Sequence, residues 1–182
     1  MLLKAFLNEK YFFWWLLIAI TEVRGEAAFS IELNSFEVNK NYDTTWIDWN
    51  TMRMKKVARN DYVFTGDFAI NRNLGNEQKI SLMIFNYYGE QRKKGMVVYT
   101  VEKNFCTFLK DEEDIYTPIV QASNLPAEYT CPFPKGNYTV DNYSLNLDFL
   151  PPETPKGQYM IEASLKNGMM AVSRIDIAVT IS

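Results

Sequence analysis

Apolar and polar side chains alternate with a period of two in separate segments of the 182-residue chain, and this pattern constrains the fold most. In residues 61–71 one face carries Tyr62, Phe64, Gly66, Phe68 and Ile70. Residues 77–88 repeat the pattern, and residues 96–101 also alternate. Successive side chains of a strand point to opposite faces, so each segment is predicted to be a strand with one face toward a core.

A hairpin is predicted at the C-terminal end of the chain. Residues 157–166 and 169–181 flank Asn167-Gly168, a dipeptide that adopts the positive φ angles of a two-residue type I′ turn. Residues 29–38 and 46–57 are also predicted strands, and the aromatic content of 15% favours strands over helices.

These segments together predict an all-β fold, a two-sheet antiparallel β-sandwich. A short helix or an irregular segment is expected near residues 111–125, and the proline-rich residues 150–155 are excluded from a central strand.

The N-terminal segment has the pattern of a secretory signal peptide. Residues 11–20 are uncharged and apolar, and Lys4 and Lys10 precede them. A membrane span needs about 20 such residues, so this run is too short. We predict a signal peptide at residues 1–25, cleaved near Gly25, and a single secreted, extracellular domain at residues 26–182. A signal anchor or a buried strand is the alternative.

The cysteines and two glycosylation motifs are consistent with that compartment. Cys106 and Cys131 are the only cysteines in the sequence, and two cysteines in an oxidising compartment usually pair. Two free buried thiols are the alternative. Asn137 and Asn142 each begin an Asn-X-Thr/Ser motif and are predicted glycosylation sites.

The second half of the chain resembles a known family. Residues 131–139 read Cys-Pro-Phe-Pro-Lys-Gly-Asn-Tyr-Thr, and Leu150-Pro151, Pro155, Gly157-Gln158-Tyr159 and the terminal hairpin follow. Together with Phe105-Cys106 upstream, this resembles the ganglioside activator protein, an ML-type lipid-recognition domain, and the insect CheA/CheB chemosensory proteins. The resemblance implies a Cys106–Cys131 disulfide and a cup of two splayed sheets that holds a lipid or another hydrophobic molecule.

An apolar pocket between the sheets is therefore expected. The candidate lining residues are Phe64, Phe68, Leu82, Ile84, Val98, Tyr159 and Ile161, and the candidate mouth residues are Tyr143, Leu147 and Phe149. Removing apolar surface from water contributes about 25 cal/mol per Å², so such a pocket binds a long-chain ligand with few polar contacts. The same residues would also fit a core filled by its own side chains, and the mouth residues would also fit ordinary loop packing.

Catalysis is not expected from this sequence. The chain contains no histidine, which excludes histidine-based acid–base pairs, nucleophile systems and metal sites. The composition does not exclude catalysis by a pair of apposed carboxylates. Asp111-Glu112-Glu113-Asp114 lacks the spacing and the glycine of a calcium loop and is expected to be a solvated acidic loop, while Arg92-Lys93-Lys94 is expected to aid solubility at a turn. No cofactor and no metal ion are expected.

Two functions are consistent with these features. The first is a secreted binder or carrier of a hydrophobic ligand, a lipid or a cuticular-hydrocarbon-like semiochemical, that acts in chemosensory perception and pheromone response. The second is a secreted interaction protein with a filled core, whose outer surface modulates a membrane receptor or channel. The net charge of −3 gives no reason to expect nucleic acid as a partner.

Overall fold

The computed structural model describes residues 30–182 except 43, 60, 92, 146, 148–149 and 151–153. These residues form two antiparallel sheets and two short α-helices, which confirms the predicted all-β sandwich. The strands are β1 (Ile31–Val38), β2 (Ile47–Asp48), β3 (Arg53–Ala58), β4 (Asp61–Ile70), β5 (Gln78–Tyr88), β6 (Lys93–Asn104), β7 (Gly136–Tyr143), β8 (Gly157–Asn167) and β9 (Met170–Ile181). The helices are α1 (Phe105–Asp111) and α2 (Glu113–Gln121), and a 3₁₀ helix (Gly89–Gln91) follows β5. The predicted signal peptide lies outside the described residues.

The larger sheet has five strands in the order β1-β9-β8-β5-β6. The hairpins β5–β6 and β8–β9 lie side by side because β5 pairs with β8. Ile161 of β8 therefore lies opposite both Ile84 of β5 and Ile177 of β9. This register puts the apolar residues of neighbouring strands on the same inner face, as the alternation predicted.

The turn of the C-terminal hairpin lies one residue later than predicted. Asn167 pairs with Met170, so Gly168 and Met169 occupy the two central positions instead of Asn167 and Gly168. Gly168 has a φ of 62°. A glycine adopts that conformation without strain at the first central position, which explains the observed turn.

The smaller sheet is centred on β4, with β7 on one edge and both β2 and β3 on the other. The prediction of one strand over residues 46–57 is therefore wrong. Asn50 has a φ of 38° and its N–H donates to Asp48 Oδ1 at 3.0 Å, and Met52 N–H donates to the Trp49 carbonyl at 2.8 Å. This local turn divides the segment, because asparagine tolerates the left-handed region and aspartate accepts from a backbone N–H two residues later.

Gly66 of β4 lies directly against this turn. Its φ is 129°, and a Cβ there would collide with the Thr51 carbonyl group and lie 2.9 Å from Met52 Cα. We expect Gly66→Ala to lower the free energy of unfolding by about 2–3 kcal/mol, measured by urea unfolding. Gly75→Ala is the control, since its Cβ would meet only Pro132 Cβ at 3.9 Å. Equal stability of the Gly66 variant and the wild type would contradict the close, strained backbone contact at Gly66.

The helices follow β6 directly. A short helix or an irregular segment was predicted near residues 111–125; the structure has helices there, and the helical segment begins earlier, at Phe105. The acidic residues do not form the expected loop but lie at the junction of α1 and α2, where Asp111, Glu113 and Asp114 are exposed to solvent as predicted. Lys103 Nζ lies 2.6 Å from Glu112 and 3.3 Å from Asp111. Within the described part of the chain, no helix is long and apolar enough to cross a membrane.

Two clusters of buried side chains make up the core. The inter-sheet cluster includes Phe64, Ile84, Tyr159 and Val179 and fills the space between the sheets. The disulfide-end cluster includes Leu74, Phe105, Phe133 and Leu165 and packs under α1. The first cluster occupies the place where the ligand pocket was expected.

Candidate functional site

The centre of the sandwich is filled by side chains. Five of the seven predicted lining residues are buried members of the inter-sheet cluster: Phe64, Leu82, Ile84, Tyr159 and Ile161. The Phe64 ring packs between Phe36 of the five-stranded sheet, at 5.3 Å between centroids, and Tyr143 of its own sheet, at 6.2 Å. Because this contact bridges the two sheets, they do not splay apart there into the expected open cup.

The predicted mouth is also part of the core. Tyr143 ends β7 and is buried, and Leu147 is only 2% exposed. Both belong to the inter-sheet cluster, so neither lies at a rim. Phe149 lies outside the described residues. Leu147 and Leu150, which follow β7, thus pack inward and extend the apolar face that the strand begins.

Phe68 occupies a different place from the other predicted lining residues. Its ring lies 5.8 Å from Trp49 and 5.5 Å from Tyr138, measured between centroids. It contacts both core clusters and is partly buried. It joins the two clusters and does not line a cleft with the other candidates.

A half-open cleft of about 180 Å³ lies at the edge of the sandwich, and we call it the edge cleft. It is bounded by β5, β6, β8 and the segment that leads into β8. Its lining residues are Ile84, Val98, Tyr99, Leu150, Thr154, Pro155 and Tyr159. Ile84, Val98 and Tyr159 were predicted as lining residues, and the structure brings these three together.

The other four lining residues were missed from the sequence. Tyr99 was assigned only to an alternating strand, and Leu150, Thr154 and Pro155 fall in a segment without periodicity. The position of Pro155 could have been predicted, because a proline shortly before a strand indicates an irregular segment close to the edge of the sheet.

Val98 is exposed because β6 bulges at this point. The pairing moves from Ile84 opposite Tyr99 to Phe85 opposite Val97, which leaves Val98 without a partner residue on β5. Met96 is 76% exposed, and Val97 and Val98 are close to half exposed. We call these three exposed residues, Met96 to Val98, the apolar rim; Val98 lines the edge cleft, and Val97 and Met96 precede it in the strand. Contiguous exposed apolar residues are typical of binding surfaces.

Among the described residues that line the edge cleft, none carries a charged side chain. Burial raises the pKa of the Tyr159 hydroxyl, which donates to the Pro155 carbonyl at 2.5 Å and holds that segment against β8. Burial is also the main cause that raises the pKa of Tyr99; the Glu112 carboxylate adds to the effect and Lys103 opposes it. Both phenols are therefore neutral at physiological pH, and the cleft is suited to an uncharged ligand.

A second, more open groove runs between β1 and β3 on the other side of the sandwich. It consists of two adjoining parts of about 410 Å³ each, and Val38 and Met52 line both. Many polar residues line it, including Glu37 and Arg53. The edge cleft is the smaller of the two, but its described lining residues are uncharged and it adjoins the apolar rim.

The structure joins Cys106 and Cys131 in a disulfide, with 5.9 Å between their Cα atoms. Asn137 and Asn142 both lie on β7 with exposed side chains. Their glycosylation stays a prediction. Among the described residues, no group of three or more His, Cys, Asp or Glu lies close enough to hold a metal ion.

Lys94 does not have the simple solubilising role expected of residues 92–94. Strand β6 already begins at Lys93, so Lys94 lies within the strand and not in a turn. On the outer face of the sheet, its ammonium group pairs with the buried Glu162. Glu162 also accepts from Arg174 at 2.7 Å. Burial, followed by repulsion from Arg174, lowers the pKa of Lys94. Arg92 lies outside the described residues.

The fold and the edge cleft define a two-sheet β-sandwich with a lateral apolar site. Residues 80–161 match the model of a family described as a protein of unknown function, DUF1091. The matched segment contains every lining residue of the edge cleft and none of the groove between β1 and β3. No curated protein matches the chain.

Proposed function

We propose that the protein is a secreted binder of a neutral apolar molecule, which it holds in the edge cleft. The observation that carries the proposal is a cleft whose described lining residues are uncharged and include Val98, one of three consecutive exposed apolar residues, Met96, Val97 and Val98. Burial of apolar surface contributes about 25 cal/mol per Å² and requires no sharp polar motif. The disulfide supports secretion, because such bonds persist in oxidising compartments.

The size of the cleft restricts how a ligand binds. Its volume of about 180 Å³ is below the roughly 300–1,000 Å³ typical of sites that enclose a whole small molecule. A long hydrocarbon chain would place one end in the cleft and the rest along the apolar rim. Lipids and cuticular-hydrocarbon-like semiochemicals have this shape, so the resemblance to insect chemosensory carriers supports this ligand class and a role in pheromone response.

The filled core favours a second candidate function. A protein whose described inter-sheet space is packed with its own side chains would act through its outer surface, as an interaction protein that modulates a membrane receptor or channel. In that case the exposed rim of Met96 to Val98 would contact the receptor directly. The two functions use the same surface and differ in whether a small molecule is bound there.

Substitution of Val98 distinguishes them. We expect wild-type protein to take up the neutral fluorescent probe N-phenyl-1-naphthylamine saturably, and Val98→Trp to weaken that uptake at least about tenfold by filling the cleft. Fluorescence titration measures both. Val57→Trp is the matched control, because Val57 is 46% exposed and Val98 is 47% exposed, and Val57 lies on β3 away from the cleft.

Two results would count against the carrier. One is no uptake by the wild type across a panel of neutral long-chain probes, which would favour the interaction protein. The other is equal uptake by the wild type and Val98→Trp, which would place the ligand elsewhere. Thermal unfolding of each variant checks that the substitution has not disturbed the fold.

A further inference from the structure

Strand β3 and the residue after it carry a dense group of positive charges. Arg53, Lys55, Lys56 and Arg59 lie within a segment of seven residues, and we call them the β3 basic strip. Asp61 is the only carboxylate between residues 53 and 62. The chain as a whole has a net charge of −3, so the strip departs from the character of the rest of the molecule.

The four cations of the strip are exposed and have no carboxylate partner among the described residues. Arg53 donates to the Thr51 carbonyl at 3.1 Å, and the Lys56 ammonium lies 5.7 Å from the centroid of the Tyr62 ring. Two lysines of the five-stranded sheet differ, because Lys79 and Lys166 both pair with Glu102. The charge of the β3 basic strip is thus available to an anionic partner.

The strip projects to both sides of an open sheet edge. Among the described strands β3 pairs only with β4, and Met54 and Lys56 lie opposite Phe64 and Tyr62 on the inward face. Arg53 and Lys55 therefore point to the other face. At about 3.3 Å per residue, the cations extend along roughly 20 Å of edge. A flat membrane surface would contact one side of such an edge, whereas a flexible linear polyanion would contact both.

Positive charges on an edge strand also disfavour pairing with a further neutral strand, since each added strand would have to bury or approach them. The partner is therefore one that binds through side-chain charge and needs no main-chain ladder. Short segments rich in lysine and arginine are known sites for heparin-like polymers and nucleic acids. The choice of the polysaccharide over nucleic acid rests on the secretion proposed above, because sulfated polysaccharides are extracellular.

We propose that the β3 basic strip binds a linear sulfated polysaccharide. Sulfate groups carry permanent negative charge and recur along such a chain, which matches cations that recur along a strand. The site is separate from the edge cleft: β1, which contacts β3, lies at the opposite edge of the five-stranded sheet from β6. The proposal extends beyond apolar ligand binding and does not depend on it.

Calorimetric titration with a heparin octasaccharide in low salt tests the proposal on the full secreted domain. We expect saturable binding by the wild type and an affinity about tenfold weaker in Lys55→Gln/Lys56→Gln. We also expect binding to be lost in 0.5 M NaCl, because the electrostatic screening length there is only about 4 Å. Lys110→Gln/Lys135→Gln is the matched control. It removes the same charge from two exposed lysines outside the strip and should bind like the wild type.

Several outcomes would overturn the proposal. These are an unchanged affinity in Lys55→Gln/Lys56→Gln, equal binding of a chemically desulfated octasaccharide, or equal binding of a thymidine oligonucleotide. Binding to phosphatidylserine vesicles without binding to the octasaccharide would assign the strip to a membrane surface instead. Uptake of N-phenyl-1-naphthylamine by Lys55→Gln/Lys56→Gln should equal that of the wild type, so failure here and failure of the apolar site are distinguishable.

Discussion

Replacing both Cys106 and Cys131 by alanine is expected to lower the free energy of unfolding by about 3–4 kcal/mol. The disulfide closes a loop with a sequence separation of 25, which restricts the unfolded chain. In the folded protein it ties α1 to the segment in which Phe133 exchanges two backbone hydrogen bonds with Leu74, at 2.8 and 3.0 Å. Urea unfolding in oxidising buffer measures the loss.

A reducing control separates the bridge from the side-chain change. Cys106 is fully buried, so the alanine variant also removes a sulfur atom from the core. Wild-type protein in excess reductant keeps both sulfur atoms and loses only the bond. We expect it to be destabilised to a similar extent. Unfolding at the same urea concentration with and without the bond would contradict the stabilising role of the disulfide.

Leu147→Ala is expected to cost about 3 kcal/mol in the free energy of unfolding, because the side chain is 2% exposed within the inter-sheet cluster. A leucine at an open pocket mouth would lose much less, so the substitution distinguishes a core position from a rim position. Met169→Ala is the control, since Met169 is 99% exposed and its truncation should change stability by less than about 0.5 kcal/mol. Similar unfolding curves for the two variants would place Leu147 outside the core.

The strands of the sandwich were predictable because their signal is local. The alternation in residues 61–71 and 77–88 corresponds to β4 and β5, and the C-terminal hairpin differs from its prediction by one residue at the turn. The break between β2 and β3 was not predicted. It depends on the left-handed conformation of Asn50, and that conformation leaves no trace in the hydrophobic pattern.

The edge cleft was only partly predictable. An apolar stripe has the same sequence whether the facing sheet is in contact with it or held apart, so periodicity alone did not show that Phe36, Phe64 and Tyr143 close the centre. The cleft also combines residues far apart in the chain, such as Ile84 and Pro155. Its rim arises from a bulge in β6, which strand alternation does not reveal.

Methyl NMR of isoleucine, leucine and valine side chains, during titration with a neutral long-chain ligand, tests most directly whether the apolar site lies outside a filled core. The account predicts ligand-induced shifts and intermolecular NOEs at Val98 and Leu150, which line the edge cleft. It predicts small changes at Leu82 and Ile161, which lie within the inter-sheet cluster. Strong NOEs from the ligand to Leu82 and Ile161, with none to Val98, would show that the sheets open around the ligand and would contradict the account.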